Sequence, residues 1–207
     1  MKPGTFTLHE HSRRIFGGLV VAQALWAATS TVREEHVLHS MHAYFVLGGD
    51  PNEPVRYEVD RLRNGRSFTT RSVVARQSSG AILSLSCSFQ RLEDGPETQS
   101  ADFPSNIPDP EGLECEWMAG IDRRDIDAPE SPPRSVGWCR LPVELPDDRR
   151  MHDCALAYLS DIGPMGAIAR AHPDQPLTQD GWQENFMTAS LDHAMWFHHQ
   201  ARADDWL

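Results

Sequence analysis

The stretch GGLVVAQALWAATSTV, residues 17–32, decides how the rest of the chain can fold. Its length and its alanine and leucine content predict a helix, despite the paired valines. This helix is apolar nearly all round, with Gln23 as the main polar exception, so we expect other structure to enclose it. The pair Gly17-Gly18 at its start lets backbone or a ligand approach closely. Packing is the commoner reason for such a pair, and an anion held at the helix N-terminus is the alternative.

Four strand-like runs follow the helix, at residues 37–47, 54–63, 67–77 and 81–91. Alternation of polar and apolar residues is clear in the last run, and glycine, asparagine and proline mark the turns between the runs. Short loops between consecutive strands predict an antiparallel meander. A curved antiparallel sheet wrapped around a central helix accommodates both the buried helix and the strands. This α+β arrangement is the hotdog fold.

The second half of the chain repeats this order of elements. Residues 93–135 are rich in proline and acidic residues, which predicts a linker with little regular structure. Beyond it the pattern predicts a strand at 136–142, a helix from Met151 to Ile162, a polar loop through Gln175, Thr178 and Gly181, and a strand at 190–199. Asp147 and Asp148 offer an N-cap for the helix, and Gly163-Pro164 ends it.

A loose match between residues 38–45 and 191–197 agrees with two copies of one unit. Each of these runs is the first long strand after its helix. We therefore expect an N-terminal hotdog at residues 1–92, the linker at 93–135 and a partial C-terminal hotdog at 136–207. Sheets that are left open at an edge seek partners, so a homodimer or a larger homo-oligomer is expected.

The composition restricts the partners of the chain. A net charge of −11 disfavours nucleic acid and anionic membranes, although a run of arginines keeps a local basic pocket possible: Arg61, Arg63, Arg66, Arg71 and Arg76. No apolar stretch reaches the roughly 20 residues that cross a bilayer, and the N-terminus does not resemble a signal peptide. The four cysteines are scattered, which predicts reduced thiols. A soluble cytoplasmic protein is the expectation.

Two polar residues of the second half are candidates for chemistry. Asp161 follows Tyr158 by three residues and Cys154 by seven, so it borders the apolar stripe of its helix. It is either a polar residue at the helix boundary, which is the commoner case, or a general base that orients water. Ser190 begins the last strand, where its hydroxyl is either simply exposed or able to hold a water or a carbonyl oxygen. No Gly-x-Ser-x-Gly motif occurs, which counts against an α/β-hydrolase.

The histidines invite a metal site, but the spacing argues against one. His193 and His199 would share a face of their strand about 20 Å apart, too far to bind one ion. His39 and His42 fall on opposite faces of the first strand and have no acidic partner nearby in sequence. We therefore predict that the histidines pack or line a surface and that no metal is bound.

Six short stretches are similar to the type II acyl-CoA thioesterase family. They are RIFGGLVVAQAL at 14–25, HSMHAYF at 39–45, RNGRSFTTR at 63–71, PDD at 146–148, YLSD at 158–161 and LDHAMWFH at 191–198. The resemblance covers about residues 13–92 and 135–207. It implies a double hotdog that hydrolyses fatty acyl-CoA to a free fatty acid and CoA.

The resemblance also implies a triad of Asp, Thr or Ser, and Gln that orients the attacking water. Asp161 falls on the Asp position and Ser190 on the Thr/Ser position. No metal or cofactor is implied, because a thioester carbonyl is already activated and thiolate leaves readily. Substrate contacts are expected at Gly17, Gly18 and His39.

The glutamine position of the family lies on a strand beyond Leu207, so the second hotdog is expected to be incomplete. A fragment, completion by another subunit and a degenerate protein are the three explanations. The alternative function is a catalytically impaired acyl-CoA-binding or assembly protein. A hotdog dehydratase is a weaker third option, since no suitable pairing of histidine with aspartate is evident.

Overall fold

The computed structural model describes residues 14–100, 103–104, 106–118, 120–126, 134–173, 186 and 189–207. The helices in these ranges are α1 (Gly17–Thr29), α2 (Arg149–Ser160) and α3 (Pro164–Ala171), with a short 3₁₀ turn at Pro110–Gly112. The strands are β1 (His36–Phe45), β2 (Arg56–Asn64), β3 (Phe68–Gln77), β4 (Gly80–Arg91), β5 (Glu116–Met118), β6 (Ile121–Ile126), β7 (Val136–Arg140) and β8 (Asp192–Trp196). No helix in the described ranges is long and apolar enough to cross a membrane.

The four strands predicted after the first helix are confirmed, and the predicted meander holds for β2, β3 and β4 but is wrong for β1. The larger sheet has the order β2-β3-β4-β1-β8, so β1 pairs with β4 and not with β2. The connection at residues 46–55 is too long for a tight hairpin and crosses to the far side of the sheet. Burial explains the order, because β2 is largely exposed and suits an edge, whereas β4 carries buried Leu83, Leu85 and Phe89.

Helix α1 packs on the inner face of this sheet, and its buried side includes Val21, Ala24 and Leu25. The expectation that α1 is enclosed all round is wrong for one side. Gln23 is exposed there, and Trp26 retains 41% of its accessible surface. Tryptophan and alanine on that side made the helix look apolar all round, although only the opposite side faces the sheet.

Helix α2 begins where the sequence predicts a cap. The side chain of Asp148 accepts a hydrogen bond from the backbone N–H of Arg150, which satisfies one donor that the first turn leaves free. The helix ends at Ser160, and Gly163 then adopts a φ of +106°, which favours glycine. Helix α3 begins at Pro164 and was not predicted. The polar loop expected through Gln175, Thr178 and Gly181 lies outside the described residues.

The last strand is confirmed in a shorter form, and its position joins the two halves of the chain. β8 pairs antiparallel with β1, in a register that runs from Tyr44 opposite Asp192 to Ser40 opposite Trp196. The two runs whose sequences match loosely therefore lie side by side. Such a pairing is what a local twofold axis between two copies of one unit produces.

The prediction of little regular structure at 93–135 is wrong for part of that segment. β5 and β6 lie within it and form a three-stranded antiparallel sheet with β7, in the order β5-β6-β7. Ile121 is fully buried at the start of β6, and the buried carboxylate of Asp122 pairs with Arg124 at 3.1 Å and Arg140 at 3.4 Å. The proline-rich and acidic surroundings obscured this short strand.

The four cysteines are free thiols, as predicted. Burial raises the pKa of Cys87 and of Cys154 to about 12, so both thiols stay protonated at neutral pH and pack as small apolar groups.

The cap of α2 can be tested by substitution. Asp148→Ala should lower the free energy of unfolding by about 1 kcal/mol, because the N–H of Arg150 loses its acceptor. Asp148→Asn keeps a capping oxygen but loses the ion pair with the Arg150 side chain, which lies at 3.0 Å, and should cost less. Urea denaturation of both variants measures the difference. Equal losses would show that the ion pair, and not the cap, stabilises this end of the helix.

Candidate active site

The carboxylate of Asp161 lies where the end of α2 meets the start of α1. Asp161 directly follows the last residue of α2 and accepts a hydrogen bond from the backbone N–H of Gly18. The first turn of α1 contains no acidic residue, and Phe16 provides no side-chain cap. Asp161 therefore supplies, from another helix, the negative charge and the acceptor that the N-terminus of α1 favours.

The two glycines at the start of α1 are required by this approach. A Cβ atom on Gly17 would lie 2.8 Å from Oδ2 of Asp161 and 2.8 Å from the ring of Phe45. A Cβ atom on Gly18 would lie 2.6 Å from the carbonyl oxygen of Tyr158 in α2. Both explanations considered for the glycine pair therefore apply, because the helices pack closely here and the helix N-terminus holds an anion that belongs to the protein.

Ser190 also reaches this carboxylate. Its hydroxyl donates to Oδ1 of Asp161 over 3.4 Å, longer than the typical value of about 2.7–2.8 Å. Ser190 is exposed, whereas only 11% of the Asp161 side chain is accessible. The serine thus marks the side from which solvent or a substrate reaches the buried carboxylate.

His193 is the neighbour that the sequence did not reveal. It lies on the inward face of β8, with Nδ1 at 4.0 Å from Oδ1 of Asp161 and Nε2 at 3.1 Å from the hydroxyl of Ser160. That hydroxyl donates to the carbonyl oxygen of Ala157 at 3.0 Å, so it accepts a hydrogen bond from Nε2. In the neutral ring Nδ1 is then a bare acceptor, and it is buried without a partner among the described residues.

Burial shifts both titrating groups of this pair towards their neutral forms. It raises the pKa of Asp161, an effect that His193, the Gly18 N–H and the Ser190 hydroxyl partly offset. Burial likewise lowers the pKa of His193, against the opposing attraction of Asp161 and Asp192. Because the pKa of His193 lies below the ordinary 6.5, this histidine is neutral at pH 7.

The structure brings together four of the five residues predicted for the site: Gly17, Gly18, Asp161 and Ser190. His39 is not among them. It lies towards the other end of β1, where its ring contacts Ser88 at 2.9 Å and the ring of Phe68 at 6.2 Å between centroids. Leu38 and Met41 of β1 are buried in the core, and His39 faces away from them.

His193 and Asp161 are 32 positions apart, and the histidine was predicted to pack or line a surface. His42 likewise has an acidic partner that is distant in sequence, since its Nε2 lies 3.1 Å from Oδ2 of Asp192 on the neighbouring strand. The loose match between residues 38–45 and 191–197 was the available signal, because it suggests that these strands are neighbours. Within the described ranges no three ligand-type side chains gather closely enough to hold a metal ion.

Comparison with known proteins places the chain among enzymes of one family. A family model of the acyl-CoA thioesterase N-terminal domain matches residues 8–90, and the model of the C-terminal domain matches residues 93–207. The chain is 35% identical over 231 residues to acyl-coenzyme A thioesterase 8 of Mus musculus, an alignment that covers 95% of this chain and 69% of that protein.

Solved structures give the same result. The crystal structure of acyl-CoA thioesterase II TesB2 from Mycobacterium marinum superposes with a TM-score of 0.80 at 38% identity, over 93% of this chain and 74% of that one. A protein with a hotdog fold from Alicyclobacillus acidocaldarius superposes with a TM-score of 0.70 at 17% identity, over 91% of this chain and 69% of that one, and supports the fold alone. The α+β hotdog fold is therefore confirmed, and the chain belongs to the acyl-CoA thioesterase family.

Proposed function

We propose that this protein hydrolyses fatty acyl-CoA thioesters to free fatty acid and CoA, with Asp161 as the general base. The observation that carries the proposal is the buried carboxylate of Asp161, which is held by the Gly18 N–H and reached by the Ser190 hydroxyl. A raised pKa makes this carboxylate a better proton acceptor than an exposed aspartate. The thioesterase names of the relatives support the same reaction.

The 4.0 Å gap between Nδ1 of His193 and Oδ1 of Asp161 suits one water molecule. Both atoms are acceptors when the histidine is neutral, so a water there would donate one hydrogen to each, at about 2.8 Å. Its lone pairs would then point away from the pair, towards a bound thioester. We assign His193 as a positioning residue for this water, and Ser190 as the residue that orients the carboxylate.

The reaction then proceeds in two steps, addition of water and loss of the thiolate. The water oxygen attacks the thioester carbonyl carbon while Asp161 takes one of its protons. Collapse of the tetrahedral intermediate breaks the carbon–sulfur bond, and the electron pair leaves with the sulfur of CoA. The thiolate takes the proton that Asp161 accepted from the water, Asp161 returns to its ionised form, and the fatty acid is released. No covalent enzyme intermediate is required.

Substitution of the base should separate hydrolysis from binding. Asp161→Asn should lower kcat by about 10²–10⁴-fold, because the amide cannot accept the proton of the water. Release of free thiol from palmitoyl-CoA, followed with dithionitrobenzoate, measures this rate. Binding of a non-hydrolysable acyl-CoA thioether should change little, because the substitution preserves the shape of the side chain.

A second aspartate of the same region serves as the matched control. Asp192 lies two residues from Ser190, but its side chain is exposed and pairs with His42. Asp192→Asn should leave kcat within about two-fold of the unaltered protein. Wild-type turnover by the Asp161→Asn variant would refute the assignment. Tight binding of acyl-CoA without thiol release by the unaltered chain would instead favour the alternative, a binding or assembly protein.

The raised pKa of Asp161 also predicts how stability depends on pH. An aspartate whose folded-state pKa lies above the ordinary 3.8 destabilises the fold once it is ionised, and this cost disappears as pH falls through the raised pKa towards 3.8. Asp161→Asn should therefore have a higher Tm than the unaltered protein at neutral pH. The difference should shrink as the pH falls through the raised pKa of Asp161 towards 3.8. A variant less stable at pH 7 would show that the hydrogen bonds of the carboxylate outweigh its burial.

Homo-oligomerisation is a further part of the proposal. The outer edge of β8 pairs with no strand among the described residues, and Trp196 and Tyr44 are 64% and 56% exposed on the outer face of the sheet. An open edge beside exposed aromatic residues favours association. Light scattering coupled to gel filtration should give at least twice the mass of one chain, and Trp196→Lys should shift the protein towards the monomer. A monodisperse monomer would contradict this prediction.

A further inference from the structure

A basic cavity lies at the opposite end of α1 from Asp161. Its volume is about 600 Å³, and it is enclosed by the residues after α1, the start of β1, the β2–β3 turn and the end of β4. Half of its lining residues are arginines: Arg33, Arg61, Arg66, Arg71 and Arg91. Glu35 is the one acidic residue in the described part of the lining. This concentration of positive charge contrasts with the net charge of −11 for the whole chain.

Arg71 forms the floor of this basic cavity and is 1% exposed. Its guanidinium donates to the hydroxyl and carbonyl oxygens of Thr31, at 2.6 and 3.0 Å, and to the side-chain oxygen of Asn64 at 2.7 Å. Its remaining bonds go to the carbonyl oxygens of Arg63 and Thr70, both at 2.9 Å. Every one of these acceptors is neutral, so the positive charge of Arg71 is buried without a counter-charge among the described residues.

The arginines at the rim also lack counter-charges. Arg61, Arg66 and Arg91 are exposed and form no ion pair with any described residue, and Arg33 faces Glu35 only at 3.9 Å. Other arginines of the same sheet do have an acidic partner, since Arg56 and Arg76 share Glu58. Burial, together with repulsion from Arg61, lowers the pKa of Arg71. The described residues therefore provide no anion that neutralises this cluster of arginines.

Hydrogen bonds within the protein hold the wall of the cavity in place. Gly65 donates its N–H to the carbonyl oxygen of Phe68 at 2.9 Å, and a Cβ on Gly65 would lie 2.6 Å from that oxygen, so the β2–β3 turn is tight. The bonds of Arg71 to Asn64 and Thr31 fasten this turn to the residues after α1. Because the scaffold is fixed, binding an anion requires only that the exposed arginine side chains settle around it.

We propose that this cavity binds a phosphoryl group, with Arg61, Arg66 and Arg91 as its ligands and Arg71 as a fixed charge behind them. Guanidinium groups match phosphate oxygens with paired, charge-assisted hydrogen bonds. The phosphoryl group comes either from the nucleotide end of a CoA substrate or from a free nucleotide. Helix α1 separates the cavity from Asp161 by about 20 Å, at 1.5 Å per residue, which a substrate bound at both places would have to span.

Binding of adenosine 3′,5′-bisphosphate and of pyrophosphate, measured by isothermal titration calorimetry, tests the site directly. The double variant Arg66→Ala/Arg91→Ala should weaken both by about ten-fold or more, because two charge-assisted contacts are lost. Arg56→Ala/Arg76→Ala is the matched control, since it removes the same charge from the same sheet outside the cavity, and it should leave both affinities unchanged. No binding of either probe, or equal weakening in the two double variants, would overturn the proposal.

Measurements of KM and kcat then identify the source of the phosphoryl group. Only these kinetic measurements rest on the proposed hydrolysis. If the substrate supplies it, Arg66→Ala/Arg91→Ala should raise KM for an acyl-CoA about ten-fold and leave KM for the matching acyl-pantetheine and both kcat values unchanged. If a free nucleotide supplies it, both KM values stay unchanged while binding of the probes is still lost. Because the calorimetry requires no turnover, it remains informative even for a chain without hydrolytic activity.

Discussion

The contact between the Asp161 carboxylate and the N-terminus of α1 is the constraint on which the site depends. Helix α1 provides neither a side-chain cap nor an acidic residue in its first turn, and Asp161 supplies both functions from the end of α2. The contact requires that the two helices approach within backbone distance, and therefore that residues 17 and 18 are glycines. A carboxylate held in this way is buried and close to a helix N-terminus, and burial is the stronger influence on its pKa.

The pairing of β1 with β8 completes the site from the other side of the sheet. β8 comes from the second half of the chain but takes its place beside β1, which positions His193 against the end of α2. Ser190, just before β8, then faces the same carboxylate. Glycines from the first half and three polar side chains from the second thus meet at one point. Neither half of the chain contains all of these residues, so the site depends on the contact of α1 with α2 and on the pairing of β1 with β8.

The sequence predicted those features whose cause is local. The Ala/Leu content of residues 17–29, the cap at Asp148 and the alternation in β4 each lie within one short segment, and each is confirmed. Features decided by distant contacts were missed. The place of β1 between β4 and β8 depends on residues about 45 and 150 positions away. The approach of His193 to Asp161 follows from that placement, so no reading of spacing within one element could reveal it.

The two ends of α1 differ in how completely the protein satisfies them. At the N-terminus an internal carboxylate meets the positive end of the helix dipole. Near the C-terminus, Arg71 contacts Thr31 just beyond the helix, and a cation is favourable there for the same reason. One buried guanidinium is sufficient to stabilise the C-terminus of α1. Its hydrogen bonds also hold the β2–β3 turn in place. Arg61 repels Arg71, and Arg61, Arg66 and Arg91 make no ion pair with any described residue. Helix stability does not require this excess charge, whereas recognition of an anion does.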